Sequence, residues 1–301
     1  MSGPIGPDTS DRYIALAALA ARHGALDGSS PDLSPFELRV FSQNGEDGVI
    51  AELLRRCGVG TRWFCEFGTG PGTEANCVFL ADVLGWSGLF CEPDPGAFAE
   101  IERKYASNPR VRTLPTPITP ANVDEVFGSA GVPEEPDVVS IDVDGADYWI
   151  WEAMEAHRPR LVVVEYNSAL PPDRRLVKPL EAIGEPWDGT DYFGASLGAL
   201  LSLADAKGYR FVHTDLAGAN AFFVRSDLPG DYPNSATVPQ RAMNFFLLGA
   251  THATDPHDRP WYDLDSGGLT RLGRPRRPST LPFRPSLAGR ARRKLGSLLG
   301  R

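Results

Sequence analysis

Apolar residues in the middle of this chain come in two alternating rhythms. Short unbroken runs, Trp63–Phe67, Gly88–Glu92, Val111–Leu114, Val138–Asp142 and Leu161–Glu165, read as buried strands. Between them, apolar positions recur at helical spacing. Ser42–Asp47 leads into an amphipathic helix through Leu54, marked by Val49, Ile50, Leu53 and Leu54, and further helices are predicted at 76–84, 97–105, 121–127 and 148–156. Strands that alternate with helices in this way form right-handed crossover units and a parallel sheet covered on both faces. The pattern then changes. A helix at 197–207 leads into a strand at 209–214, a Gly-containing turn at 216–219 and a strand at 221–225, and two strands joined so tightly must pair antiparallel. The expected fold is α/β: a doubly wound, mostly parallel seven-stranded sheet ending in an antiparallel hairpin, with helices on both faces.

The flanks read differently. Residues 1–38 hold one helical stretch, Asp11 to His23, and a linker rich in Gly, Ser and Pro from Gly28 to Pro35. Residues 39–228 form the expected catalytic domain, in which the irregular stretch 167–195 is a candidate lid. Residues 229–301 are a Pro/Arg-rich extension expected to be partly disordered. With 301 residues, 42% of them apolar and 23% charged, the chain has ample material for a core. It lacks the run of about 18 apolar residues that a membrane-spanning helix needs. Its first residues also lack the basic-then-apolar order of a secretory signal, so the expected location is cytoplasmic. Cys57, Cys65, Cys77 and Cys91 show no CxxC spacing and read as reduced core thiols. Residues 271–301 carry ten of the 30 Lys/Arg and none of the 39 Asp/Glu. That leaves 20 bases against 39 acids, a net charge of −19, on the rest. So acidic a body excludes a nucleic-acid-binding surface there.

Glu66-Phe67-Gly68-Thr69-Gly70-Pro71-Gly72 falls where the first strand ends and a helix follows. Glycines there let the backbone turn tightly and approach a ligand closely. The spacing is acidic-x-G-x-G-x-G, and the sixth position that a nicotinamide fingerprint needs as glycine is Thr73. An acid ahead of the glycines would repel a pyrophosphate. It suits the ammonium and sulfonium of S-adenosyl-L-methionine instead. Glu92 ends the next strand, where an acid accepts ribose hydroxyls. Glu66, Gly68, Thr69, Gly70, Gly72, Glu92 and Asp142 are therefore the cofactor-binding candidates.

These segments, with Ser42-Gln43-Asn44-Gly45-Glu46-Asp47, Gly85-Trp86-Ser87-Gly88, Ile141-Asp142-Val143-Asp144-Gly145 and Glu165-Tyr166-Asn167, resemble the FkbM-type methyltransferases across about residues 40–226. The resemblance implies a class I, Rossmann-like enzyme that methylates hydroxyl groups of sugars or secondary metabolites. The chain departs from that family in Asp144 and Asp147 and in the insert after the fifth strand.

Asp142, Asp144 and Asp147 follow the fourth strand, and Glu165 and Asn167 the fifth, at the sheet edge where open α/β sheets bind ligands. Three readings stay open. Asp144 or Asp142 acts as general base; or Asp142 or Asp144, with Glu165 and Asn167, holds Mg²⁺, which takes oxygen ligands; or the acids cap the following helix. Arg174, Arg175 and Lys178, with Trp187, Tyr192 and Phe193, suit a lid over a small-molecule or glycan acceptor or equally a packed surface loop. His213 reads as a packed histidine, and the other histidines carry no sharper reading. The tail at 286–301, with Leu295, Leu298 and Leu299 at helical spacing among basic residues, reads either as a solubilising tail or as a peripheral contact with the inner face of a membrane. The alternatives to methyl transfer are a non-catalytic nucleoside-binding module and a nicotinamide-dependent oxidoreductase.

Overall fold

The computed structural model describes residues 31–242 and 252–273. The helix expected at 11–23 and the tail at 286–301 lie outside them. Five strands, β1 (Trp63–Phe67), β2 (Ser87–Cys91), β3 (Val111–Leu114), β4 (Val138–Ile141) and β5 (Leu161–Glu165), pair in parallel in the order β3-β2-β1-β4-β5. A short strand β6 (Leu176–Val177) lies elsewhere, in the insert. Strands β7 (Tyr209–Thr214) and β8 (Asn220–Arg225) then complete the sheet, with β8 antiparallel to both β5 and β7. The seven-stranded, doubly wound sheet with its closing hairpin is as the sequence predicts.

Strand side chains alternate between two cores, as the period of two requires. Phe64, Val138, Leu161 and Val163 point to one face, where α1 (Glu46–Cys57), α2 (Val78–Asp82) and α3 (Pro95–Tyr105) pack. Cys65, Phe67, Val139, Ile141, Val162 and Val164 point to the other. There they meet α4 (Val123–Ala130), α5 (Asp147–Ala153) and α6 (Leu197–Lys207). Local chemistry fixes the helix ends. Asp94 caps α3 by accepting from the N–H groups of Gly96 and Ala97, with Pro95 at the first helical position. Ser196 caps α6, which ends at left-handed Gly208. The four cysteines are free and buried in these cores.

The packed unit continues past residue 228. Strands β9 (Trp261–Asp263) and β10 (Gly268–Thr270) form a hairpin that pairs with β6, giving a small three-stranded sheet over the insert. Leu170, Leu176, Tyr192 and Trp261 form a separate small core beneath it.

Candidate active site

Register decides which side chains meet at the carboxyl end of the sheet. β1 and β4 align Phe67 with Ile141, and β4 and β5 align Ile141 with Val164. One residue further on, Gly68, Asp142 and Glu165 share a row, and β8 adds Asn220 opposite Glu165. Alternation turns Asp142 and Glu165 to the same face as Glu66. A cavity of about 170 Å³ opens there, lined by Glu46, Glu66, Gly68, Asp142, Glu165 and Asn220 among others.

The glycine loop is built as its spacing requires. Gly68 has φ +76°, and a Cβ on it would stand 1.7 Å from the carbonyl oxygen of Asp142. Only glycine lets the loop cross the end of β4 so closely. Gly72, at φ +70°, would press a Cβ to 2.8 Å from Ile101 of α3. Gly70 (φ +55°) has nothing within 4 Å of such a Cβ, so its open side is the one from which a ligand can approach. Buried Thr69 closes the turn through its carbonyl, which accepts the N–H of Gly72 at 3.2 Å.

Two of the three acids assigned to the cofactor hold backbone. Glu66 accepts the N–H groups of Asn76 (2.7 Å) and Cys77 (2.8 Å) ahead of α2, and its burial pushes its carboxyl up to about 7. Glu92 accepts the Gly70 N–H at 2.6 Å and the Asp94 N–H at 2.8 Å, so it pins the glycine loop from the end of β2. Each carboxylate oxygen keeps a second lone pair for a ligand. Glu92 lies outside the cavity lining, whereas Glu66 is part of it.

Asp142, Asp144 and Glu165 come together, each offering an oxygen within 4.8 Å of the others. Burial, together with the neighbouring acids, raises the Asp142 and Glu165 carboxyls well above the ordinary carboxylate range. Glu165 Oε2 is buried without a hydrogen-bond partner. Asp144 sits at left-handed φ +60°, in a turn held by Asp147, which accepts the N–H groups of Val143 and Gly145. Asp147 thus braces the turn ahead of α5, and no side chain caps that helix.

Asn167 is not brought into this cluster. Its amide donates to the carbonyls of Asp191 and Phe193, and its oxygen accepts the Ala169 N–H, so it fastens the insert to the end of β5. The cationic side chains of the insert turn elsewhere too. Arg174 and Arg175 pair with Asp263 and Asp265, while Lys178 lies over the Tyr192 ring beside Gly145. His213 is buried against Glu37, a packing role as expected.

Among the residues that reach the cavity without an assigned role in the sequence are Glu46, Asn220 and His252. Glu46 accepts from the side chains of Asn44 and Asn220. It belongs to the Ser42–Asp47 motif, whose regular composition is the signal that could have found it. Asn220 opens β8, and His252 comes from the segment that leads into β9, its ring edge-on to Trp187 and Phe193 at 5.0 Å from each. Nothing local in the sequence marks either one.

No protein-family model matches the chain, and no curated protein matches it. Similar solved structures are distant. A putative caffeoyl-CoA O-methyltransferase from Staphylococcus aureus is 14% identical, with a TM-score of 0.40 over 70% of this chain and 91% of its own. Aeropyrum pernix fibrillarin in complex with natively bound S-adenosyl-L-methionine is 11% identical, with a TM-score of 0.37 over 55% and 67%. PKMT2 from Rickettsia typhi is 10% identical, with a TM-score of 0.41 over 66% of this chain and only 55% of its own. Likeness at these values says nothing about activity.

Proposed function

We propose that this chain is an S-adenosyl-L-methionine-dependent methyltransferase acting on a hydroxyl oxygen of a sugar or secondary metabolite. The observation that carries the reading is the glycine loop after β1. Gly68 and Gly72 are fixed by close packing, Gly70 is left open, and the Gly70 N–H is held by the acid that ends β2. The FkbM-type motifs support the hydroxyl acceptor. Glu66 supplies negative charge next to Gly68, on the side suited to a cationic methionine end.

When bound, the cofactor supplies a methyl group on a sulfonium. The residues of this chain then have two tasks: to align an acceptor oxygen with that methyl carbon, and to take its proton. As the oxygen–methyl bond forms, the carbon–sulfur bond breaks and the hydroxyl proton passes to a carboxylate. We assign this task to Asp142 and Glu165, whose side chains line the cavity.

A second reading rests on the three oxygens of Asp142, Asp144 and Glu165. They fit a hard divalent cation such as Mg²⁺, which would lower the pKa of an acceptor hydroxyl. Asn167, engaged with backbone, is left out of that set. Methyl-labelled S-adenosyl-L-methionine incubated with a panel of hydroxylated sugars tests both. Label transfer supports the enzyme, and none to any acceptor counts against it. Loss of transfer in EDTA, restored by Mg²⁺ and absent in Asp144→Ala and Glu165→Ala, selects the metal. Full transfer in EDTA selects the carboxylate base.

A further inference from the structure

The cavity lining is rich in acceptors, and three of its four amide side chains already give a hydrogen to protein groups. Asn44 gives both its backbone N–H (2.7 Å) and its side-chain NH₂ (3.2 Å) to Glu46. Asn220 gives its NH₂ to the same carboxylate at 2.9 Å, and Asn76 gives its NH₂ to Ser140 at 3.1 Å. The Asn220 bond leaves the other end of that amide unused: its Oδ1 is buried with no partner, on a residue that lines the cavity and is 4% exposed. Glu165 Oε2 is a second buried oxygen without a donor, in the same row of the sheet. Five acids line the space, Glu46, Glu66, Glu74, Asp142 and Glu165; Glu74 is paired with Arg39 at 2.5 Å, and among the described residues no Lys or Arg itself lines the cavity. Of the insert's cations, Arg174 and Arg175 are paired with Asp263 and Asp265, and Lys178 lies over the Tyr192 ring beside Gly145.

Buried acceptors left without donors cost free energy until a ligand supplies the missing hydrogens. An anion would add its own desolvation to the mutual repulsion of the carboxylates. An ammonium or a set of hydroxyls relieves both. From Asn220 Oδ1, Glu165 Oε2 and a lining of acids that no Lys or Arg side chain enters, we infer that the acceptor is an amine-bearing polyol, such as an aminosugar, and that phosphorylated or carboxylated acceptors are rejected. This inference rests on the methyl-transfer reading, which gives Glu66 to the cationic end of the cofactor and leaves Glu46, Asp142, Glu165 and Asn220 to the acceptor.

The test is calorimetric titration of the full-length protein, loaded with S-adenosylhomocysteine and kept in EDTA so that no divalent ion holds the carboxylates. The probes are glucosamine, glucose and glucose 6-phosphate. Glucosamine should bind at least about tenfold more tightly than glucose 6-phosphate, and added salt should weaken it. Glu165→Gln keeps the shape and relieves like-charge repulsion, so its melting temperature should not fall. It should cost glucosamine about tenfold while leaving glucose unchanged. Equal or tighter binding of glucose 6-phosphate overturns the inference, as does glucosamine binding that ignores both salt and Glu165→Gln, or no binding of any probe. Failure of the cofactor reading shows separately, as absence of heat with S-adenosylhomocysteine. In that case the same three sugars titrated into the unliganded protein still give the order that decides.

Discussion

Exchanging glycines two residues apart should have unlike consequences. At Gly70 an alanine meets only the strain of a left-handed backbone, since nothing lies within 4 Å of its Cβ; the cost is about 1 kcal/mol. At Gly68 the same strain applies, but the new methyl would also sit 1.7 Å from the carbonyl oxygen of Asp142, a backbone atom at the end of a central strand. Side-chain rotation cannot relieve that overlap, so the loop must lift from β4. Lifting it breaks the Gly68 N–H bond to Cys91 at 3.1 Å and pulls Gly70 from Glu92 at 2.6 Å. Two buried hydrogen bonds at about 1–3 kcal/mol each, added to the backbone strain, bring the total to roughly 4 kcal/mol. Urea unfolding of Gly68→Ala and Gly70→Ala, followed by fluorescence of the buried tryptophans, measures the difference directly. Gly70→Ala should remain close to wild type. Gly70→Leu should stay folded yet bind S-adenosylhomocysteine far more weakly, because its side chain fills the open approach. Equal stability of Gly68→Ala and Gly70→Ala would refute the claim that Gly68 is a packing glycine and Gly70 a ligand-facing one.

Glu92→Ala should weaken S-adenosylhomocysteine binding by about 1–3 kcal/mol in titration calorimetry, through loss of the acid and loosening of Gly70; unchanged affinity in a folded variant would end its assignment. Asn167→Ala removes three hydrogen bonds that tie the insert to β5 and should cost about 3 kcal/mol of unfolding free energy, with Mg²⁺ affinity unaltered. A fall in Mg²⁺ affinity without loss of stability would return Asn167 to the metal set. Burial raises Glu66 from 4.5 and Asp215 from 3.8, each to about 7. The folded chain therefore keeps protons that the unfolded chain releases. The stability they contribute is fully present below about pH 4 and is lost as pH rises toward 7, at about 1.4 kcal/mol per pH unit per group. Urea midpoints that rise over this interval would contradict the sign.

The architecture was legible because each element carried its own signal. β3, β5, α6 and β7 begin and end where the apolar runs place them, and β1 coincides with its run from Trp63 to Phe67. The glycine loop was legible for the same reason, since a strand end, an acid and three glycines are adjacent in sequence. What escaped depends on contacts between distant segments. β6 has two residues and β9 and β10 have three each; such strands are too short to show a period, and they exist because they pair with one another. His252 reaches the cavity only because Ala253 bridges Thr190 and accepts the Asp191 N–H. Asn167 matched a metal-ligand spacing, but its amide lies within reach of two carbonyls of the insert, and backbone took it. Of the two readings of the insert, Arg174 and Arg175 follow the packed loop, because Asp263 and Asp265 arrive from β9 and the turn after it to pair with them.

The central claim is that the loop from Glu66 to Gly72, pinned by Glu92, holds the methyl donor. Titration calorimetry of the full-length protein with S-adenosylhomocysteine, and in parallel with NAD⁺, tests it most directly. The account predicts one saturable site for S-adenosylhomocysteine, weakened in Glu92→Ala and in Gly70→Leu, and no binding of NAD⁺. Absence of S-adenosylhomocysteine binding by the folded protein, or tighter binding of NAD⁺, would contradict it.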